Sequence, residues 1–237
     1  MRVLVTRPVA EAAGLVERLA ALGHQGISCP LLEIHPVSGV TVNLEGVQAV
    51  LITSSAGARA LAAAHPERRL PVFTVGDATA RAAREAGFTK VESARGDAEA
   101  LVATVLDELD PRRGALLNAS AADVAVDLTD ALSPHGFDVR RVVLYEARPV
   151  HELPAPARDA LARRELDAVL LFSSRTATTL VRLVTAAGLA DACRTVEAVC
   201  LSPAIATLAR ALPWSKVRST KVPDEPALLK LLGDGAA

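Results

Sequence analysis

Residues 49–61 read AVLITSSAGARAL and residues 168–180 read AVLLFSSRTATTL, and the two align without a gap. Each opens on a short apolar run and meets Ser-Ser before an Ala- or Thr-rich stretch. A run of that length, bounded by hydroxyl residues, reads as a buried strand. The stretch after it reads as a helix, because Ser is among the favoured helix caps. One strand–helix unit therefore occurs twice, and a repeat of this kind takes precedence over local readings.

The match extends outward from this pair. A shift of 126 lays residues 72–102 on 198–228, setting Val75 on Leu201, Gly76 on Ser202, Asp77 on Pro203, Val91 on Val217 and Glu99 on Glu225. Residues 14–36 fall on 127–149, with Leu15 on Leu128, Leu19 on Leu132, Gly23 on Gly136, Glu33 on Glu146 and Pro36 on Pro149. The chain then reads A (1–36), B (47–107), A′ (114–149), B′ (166–232). Short apolar strands alternating with Ala-rich helices predict parallel sheets covered on both faces. The expected fold is α/β, with two similar three-layer lobes produced by internal duplication.

The repeat leaves the pairing of units open. Lobes could form in chain order, A with B and A′ with B′. Alternatively B and A′ form a continuous insert, and A joins B′. Units A and A′ each end in a long extended segment, CPLLEIHPV and VVLYEARPV, suited to run side by side as a two-stranded linker. That favours the insert: 1–36 plus 150–237 as the first lobe and 37–149 as the second, with linker strands near 30–37 and 142–150. Each segment also fits a plain edge strand.

Composition narrows the function. At 237 residues the chain suits two domains of roughly 100–120 residues. Lys and Arg number 26 against 27 Asp and Glu, so no basic excess exists to drive binding to a nucleic-acid backbone. The cysteines, Cys29, Cys193 and Cys200, form no C-x-x-C pair and read as buried apolar residues of a reducing compartment. The histidines lack metal spacing. The opening MRVLVTRP reads as a first strand and is too short for a signal peptide. No window approaches the ~18 apolar residues of a membrane helix. A cytoplasmic protein without metal or membrane contact is expected. Phosphate-binding glycine loops are absent, which disfavours a nucleotide-dependent enzyme.

In open α/β sheets, ligands bind beyond the carboxyl ends of the strands. Those positions carry Thr6-Arg7-Pro8, Thr53-Ser54-Ser55, Gly76-Asp77-Ala78-Thr79, Asn118-Ala119-Ser120, Ser173-Ser174-Arg175 and Ser202-Pro203-Ala204. Helix N-termini present unpaired N–H groups and attract anions, and small hydroxyl side chains do not block the approach. The same residues are also ordinary helix caps. Arg7 and Arg175 stand where a guanidinium could clamp a carboxylate, or simply lie at the surface. Tyr145 is the sole tyrosine and falls in the proposed linker. Its phenol either faces a cleft and donates a proton, or packs as a half-buried strand residue.

VLVTRP, PLLEIHPV, LITSSAGARAL, VFTVGDATARAAREAGF, VLYEARPV and LFSSRTATTL, in this order and spacing, resemble the uroporphyrinogen-III synthase family over nearly the whole chain. The resemblance implies two lobes on a two-stranded linker. It implies a lyase acting without metal or organic cofactor on hydroxymethylbilane, a linear tetrapyrrole rich in carboxylates. That substrate loses water, has ring D inverted and is closed into a macrocycle. Tyr145 matches the tyrosine proposed to help the hydroxyl leave. Thr53, Ser54, Ser55, Gly76, Asp77, Ala78, Thr79, Ser173 and Ser174 match positions lining the cleft. Arg7, Asn118, Ser120 and Arg175 join them as substrate-binding candidates on their strand-end positions. Many members carry a G-P-T-T turn where this chain has Ser202-Pro203-Ala204-Ile205, so only Ser202 is retained there. A monomer with no nucleic-acid or membrane partner is expected. The competing reading is a non-catalytic two-lobed binding or sensor protein for an anionic metabolite.

Overall fold

The computed structural model describes residues 1–123 and 126–233. The chain opens with β1 (Arg2–Val5), α1 (Val9–Ala21), β2 (Gln25–Ser28) and β3 (Leu32–Pro36). Next come β4 (Val47–Ile52), α2 (Ser55–Ala64), β5 (Val72–Thr74), α3 (Asp77–Glu85), β6 (Val91–Ser93) and α4 (Ala98–Glu108). Then follow β7 (Ala115–Ala121), α5 (Leu128–Leu132) and β8 (Val139–Pro149). The last part holds α6 (Ala155–Ala162), β9 (Ala168–Leu171), α7 (Ser174–Ala186), β10 (Glu197–Cys200), α8 (Pro203–Ala209), β11 (Lys216–Ser219) and α9 (Glu225–Gly233).

Two compact units result. One comprises Met1–Glu33 with Arg148–Ala237, the other Ile34–Ala147. The first holds a sheet ordered β11-β10-β9-β1-β2. The second holds β3-β8-β7-β4-β5-β6. Pairing is parallel throughout β1, β2 and β9–β11, and likewise from β4 through β8. The fold is α/β with parallel sheets between helices, as the apolar runs predict. Strands matched by the sequence repeat, β4 with β9, β5 with β10 and β6 with β11, occupy the same places in the two orders. The matched Gly23 and Gly136 both turn at positive φ, 77° and 86°.

Alternation along each strand explains the continuous hydrophobicity. Val3 and Val5 of β1 pack with Leu15 and Leu19 of α1 and Leu228 of α9, while Leu4 faces Ala177, Leu180 and Val184 of α7. In the second unit Ala49 and Leu51 of β4 meet Leu101 and Val105 of α4. Val50 and Ile52 meet Leu61 of α2 and Ala83 of α3. Both faces of each sheet are thus covered, so the central runs Val3–Val5 of β1, Ala49–Ile52 of β4 and Ala168–Leu171 of β9 are apolar at every position.

β3 and β8 are neighbours in the second sheet, and each runs across a unit boundary. The Val37 N–H donates to the Leu144 carbonyl at 2.9 Å, and the Val150 N–H donates to the Leu31 carbonyl at 3.1 Å.

Candidate active site

β4 ends at Ile52, and Thr53 leads to Ser54, which caps α2 in an extended conformation (φ −153°, ψ 154°). Its Oγ accepts the Gly57 N–H at 3.0 Å. The repeat partner Ser173 caps α7 with φ −150° and ψ 155°, and its Oγ accepts the Thr176 N–H at 3.2 Å. Beyond the cap the two serines differ. Thr176 closes a reciprocal capping box, accepting the Ser173 N–H, and its Oγ1 lies 2.9 Å from Ser173 Oγ. Ser54 Oγ instead lies 2.6 Å from the Tyr145 hydroxyl.

Tyr145 reaches that place through an irregularity of pairing. β7 and β8 run in register from Leu116↔Val139 to Ser120↔Val143, and then Ala121 pairs with Tyr145, skipping Leu144. The Ala122 N–H donates to the Tyr145 carbonyl at 2.9 Å. Strict alternation would send Leu144 and Tyr145 to opposite faces. With the slip, both join the core of Ile52, Ala56 and Ala119. The tyrosine is 6% exposed, more buried than a half-buried strand residue, and its hydroxyl is held at the start of α2.

The neighbouring strand end is built from small groups. Gly76 is the cap residue of α3, with no side-chain bond. Asp77 is the exposed first residue of that helix, and Thr79 is buried. Ser55 Oγ donates to the Ala78 carbonyl at 3.4 Å, which ties the starts of α2 and α3 together. Asn118 and Ser120 sit elsewhere than expected. β7 runs on to Ala121, so both lie inside a strand, 2% and 1% exposed, not in a loop after it. Ser120 Oγ accepts from Arg141 Nε at 3.0 Å, and Asn118 Oδ1 is buried without a hydrogen-bond partner among the described residues.

In the first unit Arg7 stacks over Phe172, 4.1 Å from the ring centroid, and pairs with Glu225 at 3.2 Å. Arg18 reaches the other oxygen of the same carboxylate at 2.6 Å. Two guanidiniums thus share one carboxylate, and Arg7 is held by chain groups. Neither Phe172 nor Glu225 stands out in the sequence as a partner of Arg7. Glu225 is visible there only as the repeat match of Glu99. Ser202 caps α8, accepting the Ile205 N–H at 3.4 Å, so the departure from G-P-T-T keeps a working cap. Ser174 is exposed in the first turn of α7. Arg175 lines a pocket of about 430 Å³ with Pro149, His151, Thr178, Thr179 and Arg182.

All three cysteines are free and buried, and burial pushes each thiol up to about 12, so none is ionised near neutrality. Among the described residues no group of three or more His, Cys, Asp or Glu is placed to hold a metal, and no helix is long and apolar enough to cross a membrane.

Residues 13–230 match the sequence profile of the family described as uroporphyrinogen-III synthase HemD. The chain belongs to the uroporphyrinogen-III synthase family. Solved members share its fold. The uroporphyrinogen-III synthetase of Helicobacter pylori 26695 is 17% identical, with 99% of each chain covered and a TM-score of 0.65. A mutant uroporphyrinogen III synthase of the extremely thermophilic bacterium Thermus thermophilus is 20% identical, covering 99% of this chain and 98% of that one, with a TM-score of 0.52. No curated protein matches the chain significantly. At such identities these structures speak for the fold alone.

Proposed function

We propose that this protein converts hydroxymethylbilane to uroporphyrinogen III, releasing water, inverting ring D and closing the macrocycle. Membership of the family supports the reaction. The observation that carries the assignment of roles is the hydroxyl of Tyr145, 2.6 Å from Ser54 Oγ at the start of α2.

The substrate's terminal hydroxymethyl group leaves readily, since a pyrrole nitrogen supplies electrons to the carbon it departs from. The protein's task is then mainly to hold a flexible chain in a reactive geometry. Carboxylates of the substrate suit the N–H groups at the starts of α2, α3 and α7, where the helix dipole is positive and Ser54, Ser55, Gly76, Asp77, Ala78, Thr79, Ser173 and Ser174 stand. Thr53 adds a hydroxyl beside Ser54 at the end of β4, and Ser202 adds one at the end of β10. Tyr145 acts as the acid that gives its proton to the departing oxygen.

Product identity tests this reading. Hydroxymethylbilane closes unaided to the type I isomer. The purified protein is expected to yield type III in proportion to its concentration. Type I alone, formed at the unaided rate, would leave a non-catalytic binding protein for an anionic metabolite.

A further inference from the structure

We infer that Ser54 is a positioning residue for Tyr145, its hydroxyl donating to the phenolic oxygen so that the phenol gives up its proton more easily. This rests on the reaction proposed above.

The two serine caps make the case. Ser54 and Ser173 occupy matched places with nearly the same backbone angles, and each accepts a backbone N–H three residues on. At the second cap the residue three on is Thr176, whose hydroxyl lies 2.9 Å from Ser173 Oγ and engages it. At the first, the matched residue is Gly57, which has no side chain to compete for the Ser54 hydroxyl. The Tyr145 hydroxyl, 91 residues away in the chain, takes that place at 2.6 Å. Capping alone therefore does not account for the contact, since Ser173 caps as well without a phenol.

The direction of the bond follows from the chain of donors. Ser54 Oγ already accepts from Gly57 N–H, inside the positive end of α2. A hydroxyl whose oxygen accepts a bond becomes a better donor through its own hydrogen. The order Gly57 N–H, Ser54 O–H, Tyr145 oxygen leads positive potential onto the phenol. During reaction the C–O bond of the hydroxymethyl group breaks, and its electron pair leaves with the oxygen. The Tyr145 proton joins that oxygen to complete water, and the electron pair of the phenol O–H bond stays on the phenolic oxygen. Ser54 meets this charge with a donated hydrogen bond, which strengthens as the charge grows. The proton released when the macrocycle closes restores the phenol.

Steady-state kinetics on the whole chain, with type III product as readout, test the idea alongside a direct titration. Tyr145 is the only tyrosine, so phenolate absorbance reports it alone. Other ionisable residues on the elements around it are Glu33 and His35 on β3, Arg59 on α2, Asp77, Arg81, Arg84 and Glu85 on α3, and Arg140, Arg141, Glu146 and Arg148 along β8. They are common to all the Ser54 variants, so a difference in midpoint belongs to Ser54. Ser54→Gly removes the hydroxyl yet keeps a good helix cap, which protects folding if Ser54→Ala is unstable. The expected result is about a tenfold lower kcat with unchanged KM, the loss of one hydrogen bond made mainly in the transition state. The phenol midpoint moves upward, read within the range where circular dichroism stays native. Ser54→Thr, which keeps a hydroxyl, restores both. Combined with Tyr145→Phe, Ser54→Gly costs nothing further. A slow Tyr145→Phe beside a wild-type Ser54→Gly overturns the role of Ser54 alone. So does a slow Ser54→Gly whose phenol midpoint stays put. A Tyr145→Phe variant that makes type III at the wild-type rate overturns the acid role of the tyrosine, and this inference with it.

Discussion

Cys29, Cys193 and Cys200 are each wholly buried, and desolvation holds each thiol near 12. For Cys200 the nearby Arg210 charge pulls weakly the other way. In the unfolded chain these thiols ionise first, so their burial stabilises the fold fully below about pH 8.5 and progressively less between roughly 9 and 12. The native protein is expected to resist a thiol alkylating reagent at neutral pH, and to take up three equivalents once denatured. Mass spectrometry showing rapid native labelling of any of the three would contradict the burial. The burial is legible from spacing alone, because isolated cysteines in apolar runs offer no pairing. Tyr145 shows the opposite case. Its singularity and its place in an extended segment are visible in the sequence, but its depth is not. Alternation alone would put it on the opposite face from Leu144, and only the skipped residue in the β7–β8 ladder brings both into one core.

Among the elements, the caps are the most readable feature. Ser54, Ser173, Ser202 and Asp97 all cap helices through their side chains, as short oxygen-bearing residues before apolar helical runs should. Strand ends are less readable. β7 carries Asn118 and Ser120 in its interior, although polar residues after ALL look like the start of a loop. The packing of α4 and α5 over that face, and the Arg141 bond to Ser120, decide it. The turn into β7 is similarly strict. Gly114 has φ 142°, and a Cβ there would stand 2.5 Å from the Gly46 carbonyl oxygen. Gly114→Ala must therefore strain the backbone and push two loops apart. A loss of about 2 kcal/mol or more is expected, seen as a lower urea midpoint at unchanged slope. A midpoint equal to wild type would show that the loop yields freely.

Across the whole molecule, each apolar cluster stays within one compact unit. The unit of residues 34–147 is continuous in the chain. It contains its own sheet, apart from the outer ends of β3 and β8, and the helices on both faces of it. We expect a fragment of residues 34–147 to unfold cooperatively in urea on its own. Removing residues 1–33 is expected to abolish the other unit, because β1 lies between β9 and β2 and buries Val3, Leu4 and Val5 almost completely. A fragment of residues 34–147 without a cooperative transition would show that its core depends on the rest of the chain.

The succession of strands and helices, the caps, the parallel character of the sheets and the repeated unit are all written in the chain itself. They depend on contacts a few residues apart, or on the simple requirement that a strand covered on both faces be mostly apolar. Which sheet each strand joins is a tertiary decision. The repeat allows β1 to join a sheet either with β4 of the next unit or with the distant β9, and local pattern is the same for both. Tertiary structure also chooses the partners of the side chains that matter most. Arg7 meets Phe172 and Glu225, and Ser54 meets Tyr145, across separations over which periodicity carries no information. Such contacts exist only when distant strands have been set side by side, so no pattern within either segment records them.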